Sequence, residues 1–353
     1  MDAMGFNTYE KQDRVLVGMS GGVDSSVTVR ILQEQGFAVE GAVIRFSPAH
    51  DAAVAAARDA ARSLGVEVHV IDAAEAFDRE VVTPFCESYC AGRTPNPCIL
   101  CNPAVKFRLL AEKADELGIP YLATGHYARI ERCSDGVCRI CTAESAARDQ
   151  SYMLYRLGRN ILDRLILPLG EFEKSDVRDI AHDIDLRCAD APDSMEICFI
   201  PDGDYSAFIR ARGMTPKAGR FIGPDGEELG PHLGVDHYTV GQRKGLGLSA
   251  GRPLFVREIL PDGNIRLAES GGEFNRRILV DSVVTPDGLP LADGEYLVKI
   301  RSAAKPTACV VRCEDSVLTV DFPEPVRAPA PGQSAVFYRD GYVMGGGVIL
   351  SAE

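Results

Sequence analysis

At 353 residues, with 46% hydrophobic side chains and a mean hydropathy of −0.04, the chain has the composition of a soluble protein too long for one ordinary core. The opening MDAMGFNTYEKQDR lacks the apolar stretch of a signal peptide and no later run is long enough to span a bilayer, so a cytoplasmic protein without membrane attachment is expected. A net charge of −13 excludes a protein that is basic all over and leaves any nucleic-acid contact to a local basic face.

In chain order, RVLVGM (14–19) reads as a buried strand and SSVTVRILQEQG (25–36) as a helix ended by Gly36. AVEGAVI (38–44) is a second strand, DAAVAAARDAARSLG (51–65) an Ala-rich helix stopped by Gly65, and VEVHVI (66–71) a third strand. The spacing predicts a further helix over 103–118, with Asn102 as N-cap, Pro103 at the first helical position and Gly118 past the end. YLATGH (121–126) returns to the sheet. Alternating strands and helices imply an α/β fold, a doubly wound parallel sheet over residues 1–213. Beyond Gly213, turn triplets such as Pro224-Asp225-Gly226 and Pro286-Asp287-Gly288 punctuate short Val/Ile/Leu runs, which predicts mostly β structure. We place a small central domain at 214–275 and a C-terminal β-barrel domain at 276–353. The Pro/Ala patch PEPVRAPAPG (323–332) reads as a loop.

Between the first strand and first helix lies GMSGGVDSS, residues 18–26. A glycine-rich turn feeding a helix N-terminus aims backbone N–H groups at an anion. It is neither a Walker A loop, lacking Gly-Lys-Ser/Thr, nor a dinucleotide GxGxxG pattern. Instead it resembles the SGGxDS loop of the ATP-pyrophosphatase superfamily, whose members cleave ATP between the α- and β-phosphates and adenylate a carbonyl oxygen.

Eleven cysteines, an odd number in a large chain without an export signal, argue against a disulfide framework and for thiols available to metal or sulfur chemistry. Cys98-x-x-Cys101 has a spacing that serves metals, redox disulfides and sulfur transfer alike. With the helix starting at Asn102, the dipole, worth roughly 0.3–1 kcal/mol and up to ~2, would lower the Cys101 thiol from about 8.5 toward about 7.5. Ile197-Cys198-Phe199-Ile200 reads as a short buried strand, in which Cys198 taken alone is a core residue. Cys133, Cys138 and Cys141 flank a turn, and a surface hairpin is favoured over zinc because no fourth ligand can be named. Cys86 and Cys90, one helical turn apart, are expected to pack.

Taken together, SGGVDSSV, GRTPNPCILCN followed by VKF, ATGHYAR (123–129), RDQSYMLYRL (148–157), SMEICFI, TVGQRKGLG (239–247) and PGQSAVFYRDGYVMGGGVI (331–349) closely resemble, in this order, the tRNA-specific 2-thiouridylases. These enzymes place sulfur at C2 of the wobble uridine. The resemblance runs from about residue 14 to about 350. It implies ATP with Mg²⁺ in a loop of Gly18, Met19, Ser20, Gly21, Gly22, Val23, Asp24 and Ser25, with Ile44 and Gly125 lining the adenosine site. It also implies a persulfide on Cys198, attack by Cys101 on that persulfide, and a transient Cys101–Cys198 disulfide. Asn96, Pro97 and Cys98 would face the target base. His126, Arg148, Asp149, Gln150, Arg301, Ser302 and Gln333 would touch tRNA. The expected partners are Lys, Glu and Gln isoacceptors and a cysteine desulfurase or sulfur-relay donor.

Two departures bear on the chemistry. Many family members carry Asp where this chain has Cys98, and the change completes three thiols, Cys98, Cys101 and Cys198, enough for a [4Fe–4S] cluster with one iron open. Persulfide relay and cluster-borne sulfide both remain open, with relay preferred. The family's Arg-Tyr contact falls at Arg301-Ser302, so the aromatic partner is missing. The stretch 237–257 holds Arg243, Lys244, Arg252 and Arg257 without an acid and is the local basic face that tRNA would need. Rival readings are a 4-thiouridine, 2-thiocytidine or amidotransferase-type ATP-pyrophosphatase, or a metal-dependent tRNA-binding or redox protein with a vestigial loop.

Overall fold

The computed structural model describes residues 13–190, 197–248, 251–314 and 316–353. Strand β1 (Arg14–Gly18) is apolar on both faces, and Val15, Leu16 and Val17 are wholly buried, so it takes a central place. Around it lie β2 (Ala38–Arg45), β3 (Val68–Asp72) and β4 (Tyr121–Thr124), all parallel. A hairpin, β5 (Arg129–Arg132) and β6 (Cys138–Cys141), leaves the sheet, and β7 (Leu165–Ile166) returns beside β4 to give the order β3-β2-β1-β4-β7. Helices α1 (Val23–Glu34) and α2 (Asp51–Leu64) cover the sheet, and α2 stops at Gly65, whose φ of +68° suits a residue without Cβ.

The next helices carry π turns. The segments α3 (Ala74–Phe77) and α4 (Thr83–Cys90) are joined by a π turn at Asp78–Val82. Likewise α5 (Pro97–Cys101) and α6 (Phe107–Glu116) are joined by a π turn at Asn102–Lys106. The helix expected from Asn102 therefore starts six residues earlier. Asn96 is the cap, its side-chain oxygen accepting the Cys98 N–H at 3.1 Å, and Pro97 takes the first helical position. Pro103 falls inside the helix, where it has no N–H to donate, and the wider π turn accommodates it. Asn-Pro occurs at both 96–97 and 102–103, and the structure uses the first pair as the start.

Short helices α7 (Ser151–Leu154), α8 (Arg159–Leu162), α9 (Lys174–Asp183) and α10 (Tyr205–Ala211) complete this part. Ile197–Ile200 is a turn rather than a strand, closed by the Ile200 N–H on the Ile197 carbonyl at 2.9 Å. Its apolar residues are held by rings instead of a ladder: Phe199 lies 5.5 Å from Phe77, 5.3 Å from Phe85 and 5.5 Å from Phe208. Ser194, Met195 and Glu196 of the same motif lie outside the described residues.

The central unit is a four-stranded sheet from β8 (Arg220–Ile222), β9 (Glu228–Pro231), β10 (Leu254–Ile259) and β11 (Ile265–Glu269), ordered β10-β11-β8-β9. The last unit comprises β12 (Phe274–Val284), β13 (Gly294–Lys299), β14 (Thr307–Glu314), β15 (Val317–Arg327), β16 (Ser334–Arg339) and β17 (Tyr342–Ala352). They run β12-β15-β14-β13-β16-β17 and close through β12–β17 into a six-stranded barrel. Pro323 and Pro325 thus lie in a strand, not the loop expected from their composition. The β12–β15 register shifts between Asn275 and Arg277, opposite these prolines, where two ladder donors are missing.

The hairpin of Cys133, Cys138 and Cys141 is not a surface feature. Cys138 and Cys141 are buried, and Cys141 pairs with Tyr342, so the hairpin extends the barrel sheet. Further bonds join the first and last units: Tyr152 Oη donates to the Ser334 carbonyl (2.9 Å) and the Thr94 N–H to the Pro331 carbonyl (2.9 Å). Replacing the cap, Asn96→Ala, is expected to cost about 1 kcal/mol and lower the thermal midpoint; an unchanged midpoint would contradict the assigned helix start.

Candidate nucleotide and thiol site

In an open parallel sheet, ligands bind beyond the carboxyl ends of the strands, where the strand order reverses. Here that point lies between β1 and β4, and both following loops are built for close approach. The β1–α1 loop folds on its own hydroxyls: Ser25 Oγ accepts the Ser20 N–H (3.1 Å) and donates to the Gly22 carbonyl (3.2 Å). Gly22 is the N-cap of α1 and makes no side-chain bond there, so Val23, Asp24 and Ser25 form a first helical turn directed at the loop. A Cβ on Gly21, at φ +81°, would come within 2.7 Å of Ala56 Cβ. One on Gly125 would meet the Asp24 carbonyl carbon at 2.8 Å. Gly125 therefore lets the β4 loop lie directly on the start of α1.

Two residues that the sequence reading did not single out complete this loop. Lys174, nearly buried at the first turn of α9, donates to Asp24 Oδ1 at 2.7 Å. Tyr127 Oη donates to the same oxygen at 2.7 Å. A lysine at a helix N-terminus opposes the dipole, and the Glu173–Asp176 capping box fixes it there. That unfavourable placement in EFEKSD was the available signal.

The thiols gather beside this edge. Ile44 and Phe199 pack against the apolar cluster that contains Phe77, Phe85, Cys101 and Ile200, so the expected adenosine wall and the sulfur site share one core. Cys98 and Cys101 are one helical turn apart in α5, while Cys198 sits on the 197–200 turn; Cys98 and Cys198 are exposed and Cys101 is buried. Burial pushes the Cys101 thiol up to about 12; Lys106 opposes this, and the nearby Cys198 and Cys98 reinforce it. The depressed value expected from a helix start at Asn102 is thus reversed by burial, and Cys101 lies inside a continuous helix rather than at its N-terminus. Cys198, exposed on one side, is still raised to about 11 by desolvation, with Cys98 adding to the rise and Lys106 countering it.

Asn96 and Pro97 are held by their roles in the cap, with Asn96 Nδ2 also reaching Met153 Sδ at 3.5 Å. His126 bonds Thr124 Oγ1 through Nδ1 (2.7 Å) and stacks on Phe107. Burial, aided by Lys106, holds its basicity well below the usual histidine range. Asp149 accepts from the Ala143 and Ser151 N–H groups and lies 3.5 Å from Lys299 Nζ. Gln150 and Tyr127 exchange two bonds, at 2.9 and 2.8 Å. Gln333 Nε2 donates to the Thr94 carbonyl (2.8 Å), and Arg301 Nη2 donates to the Val240 and Ala328 carbonyls. Arg148 is exposed, and Ser302 is half-buried.

Acids from outside the stretch 237–257 reduce its positive charge. Arg252 pairs with Glu269 and lies within 4 Å of Asp225 and Glu227. Arg257 binds the Gly272 and Phe274 carbonyls. Arg243 and Lys244 are exposed without such pairing among the described residues.

Residues 13–202 match the family described as tRNA methyl transferase HUP domain, 206–267 the tRNA methyl transferase PRC-barrel domain, and 277–349 the aminomethyltransferase beta-barrel domain. The tRNA-specific 2-thiouridylase MnmA of Carboxydothermus hydrogenoformans is 42% identical over 355 residues, spanning 95% of this chain and 97% of that protein. The chain belongs to the tRNA-specific 2-thiouridylase family. MnmA 3 of Bacteroides fragilis is likewise 42% identical, over 97% of this chain and 95% of its own. MnmA of Lachnoclostridium phytofermentans is 40% identical over 96% and 99%. Among the described residues of this family member, no helix is long and apolar enough to cross a membrane.

Because His126 is held neutral in the fold, protonation opposes folding. Stability is complete above the ordinary histidine value, near 6.5, and declines as pH falls below it. The thermal midpoint of the wild type should therefore fall more between pH 7.5 and 5 than that of His126→Asn; equal slopes would contradict the assignment.

Proposed function

We propose that this chain is a tRNA-uridine 2-sulfurtransferase that uses ATP to adenylate the C2 oxygen of the wobble uridine and replaces it with sulfur from a persulfide on Cys198. The observation that carries this reading is the packing of Ile44, near the carboxyl end of β2, against the apolar cluster that holds Cys101, with Cys98 and Cys198 close to that thiol. Gly18–Ser25 would hold the ATP phosphates, Ile44 and Gly125 the adenosine, and Mg²⁺ entering with the nucleotide would screen the phosphate charge. Lys174 brings a positive charge to the same loop.

The C2 oxygen attacks the α-phosphate, and pyrophosphate departs. The terminal sulfur of the Cys198 persulfide then attacks C2 and expels AMP. Cys101 attacks Cys198 Sγ, the sulfur stays on the base, and a Cys101–Cys198 disulfide forms. Lys106 favours the thiolates of both cysteines against their burial. Asn96, Pro97 and Cys98 would face the base; His126, Arg148, Asp149, Gln150, Arg301, Ser302 and Gln333 would line the tRNA path, several of them as supports given their internal bonds. Arg243 and Lys244 supply exposed charge for phosphates. The substrates would be the Lys, Glu and Gln isoacceptors, with a cysteine desulfurase or sulfur-relay protein as donor.

A second reading is favoured by the presence of Cys98. Cys98, Cys101 and Cys198 form a donor set suited to a [4Fe–4S] cluster, which when bound would supply sulfide from its open iron.

Release of pyrophosphate that depends on tRNA, measured alongside thiolation, tests the first reading. Asp24→Ala should lose both, whereas Cys198→Ser should keep pyrophosphate release and lose thiolation. Full thiolation by Cys198→Ser would remove the persulfide assignment. Lys174→Met should weaken ATP binding at least about ten-fold, near 1.4 kcal/mol, by calorimetry; unchanged affinity would make the lysine purely structural.

A further inference from the structure

The persulfide cycle just described ends with Cys198 locked to Cys101. Cys101 is 8% exposed and packs among Phe85, Val105 and Ile200, so its sulfur is shielded from a reductant in solution. One turn away in the same helix, Cys98 is exposed. Residues three apart on a helix have Cβ atoms roughly 5–6 Å apart against about 3.5–4.5 Å in a disulfide, so the pair can bridge once the helix turn closes by roughly 1–2 Å. Cys98 also interacts electrostatically with both other thiols. All three are free thiols in this structure.

We propose that Cys98 is the resolving thiol of the cycle, attacking Cys101 Sγ in the Cys101–Cys198 disulfide to leave a Cys98–Cys101 disulfide at the surface. The proposal rests on the persulfide reading. In this exchange the Cys98–Cys101 bond forms and the Cys101–Cys198 bond breaks. The electron pair leaves on Cys198 Sγ, and the proton lost by Cys98 passes to it through solvent. Nothing is oxidised or reduced overall. Cys198 is at once free to take a new persulfide, and a dithiol reductant later reduces the exposed Cys98–Cys101 pair. An intramolecular thiol has the advantage of effective concentration over one from solution.

The test uses full-length, iron-stripped enzyme loaded with persulfide, given tRNA and Mg-ATP for one turnover without reductant, then quenched with an alkylating agent. Tryptic cleavage keeps Cys98 and Cys101 in one peptide, residues 94–106. The expected result is that this peptide is internally oxidised and unalkylated while Cys198 is alkylated. A Cys101–Cys198 cross-link with alkylated Cys98 overturns this proposal and leaves the persulfide reading intact. Formation of 2-thiouridine with no disulfide of either kind overturns both. In a parallel assay with limiting dithiol, Cys98→Ser and Cys98→Asp should lower the ratio of steady-state to first-turnover rate by about five-fold or more. An unchanged ratio overturns the resolving role, whatever either variant does to the first turnover itself.

Discussion

The contact of Lys174 and Tyr127 with one oxygen of Asp24 is the constraint on which the rest of the site depends. It ties the start of α1 to the β4 loop and to a helix 150 residues further along the chain. Gly125 must be bare for this to happen, because its backbone lies directly on Asp24 and Ser25. With the first turn of α1 fixed, its N–H groups face the point where the sheet changes winding direction. An anion placed there meets donors that need no rearrangement, which is the condition for strong electrostatic stabilisation.

The three thiols are mounted on the same frame by a different device. A helix that starts at Asn96 and widens into a π turn carries Cys98 outward and Cys101 inward, and it brings Lys106 near Cys101, Cys198 and His126. The barrel braces the strand before this helix by bonding Thr94 from both sides, through the Pro331 carbonyl and the Gln333 amide. The start of the helix is thus tied to the barrel by two hydrogen bonds rather than through the hydrophobic core.

Much of this was readable beforehand, for physical reasons that differ by element. Strand β1 and the loop after it are local: an apolar run, then glycines and serines, then a helix. The helix start at Asn96 was missed because two Asx/proline pairs compete at 96–97 and 102–103, and only tertiary packing selects between them. The turn at 197–200 reads as a strand because four consecutive apolar residues can be buried by rings as well as by a ladder. Lys174 shows in the sequence only as a lysine misplaced at a helix N-terminus, because its partner, Asp24, is 150 residues away. The pairing of Arg252 is hidden for the same reason: Asp225, Glu227 and Glu269 lie outside the stretch 237–257.

The central claim, that this site exchanges oxygen for sulfur on a tRNA base, is tested most directly by product analysis. Iron-stripped protein would be incubated with unmodified tRNA, Mg-ATP and a persulfide donor, and the digested tRNA analysed by mass spectrometry of its nucleosides. The account predicts 2-thiouridine at the wobble position, with no iron required. Absence of 2-thiouridine under these conditions and again after cluster reconstitution would contradict it.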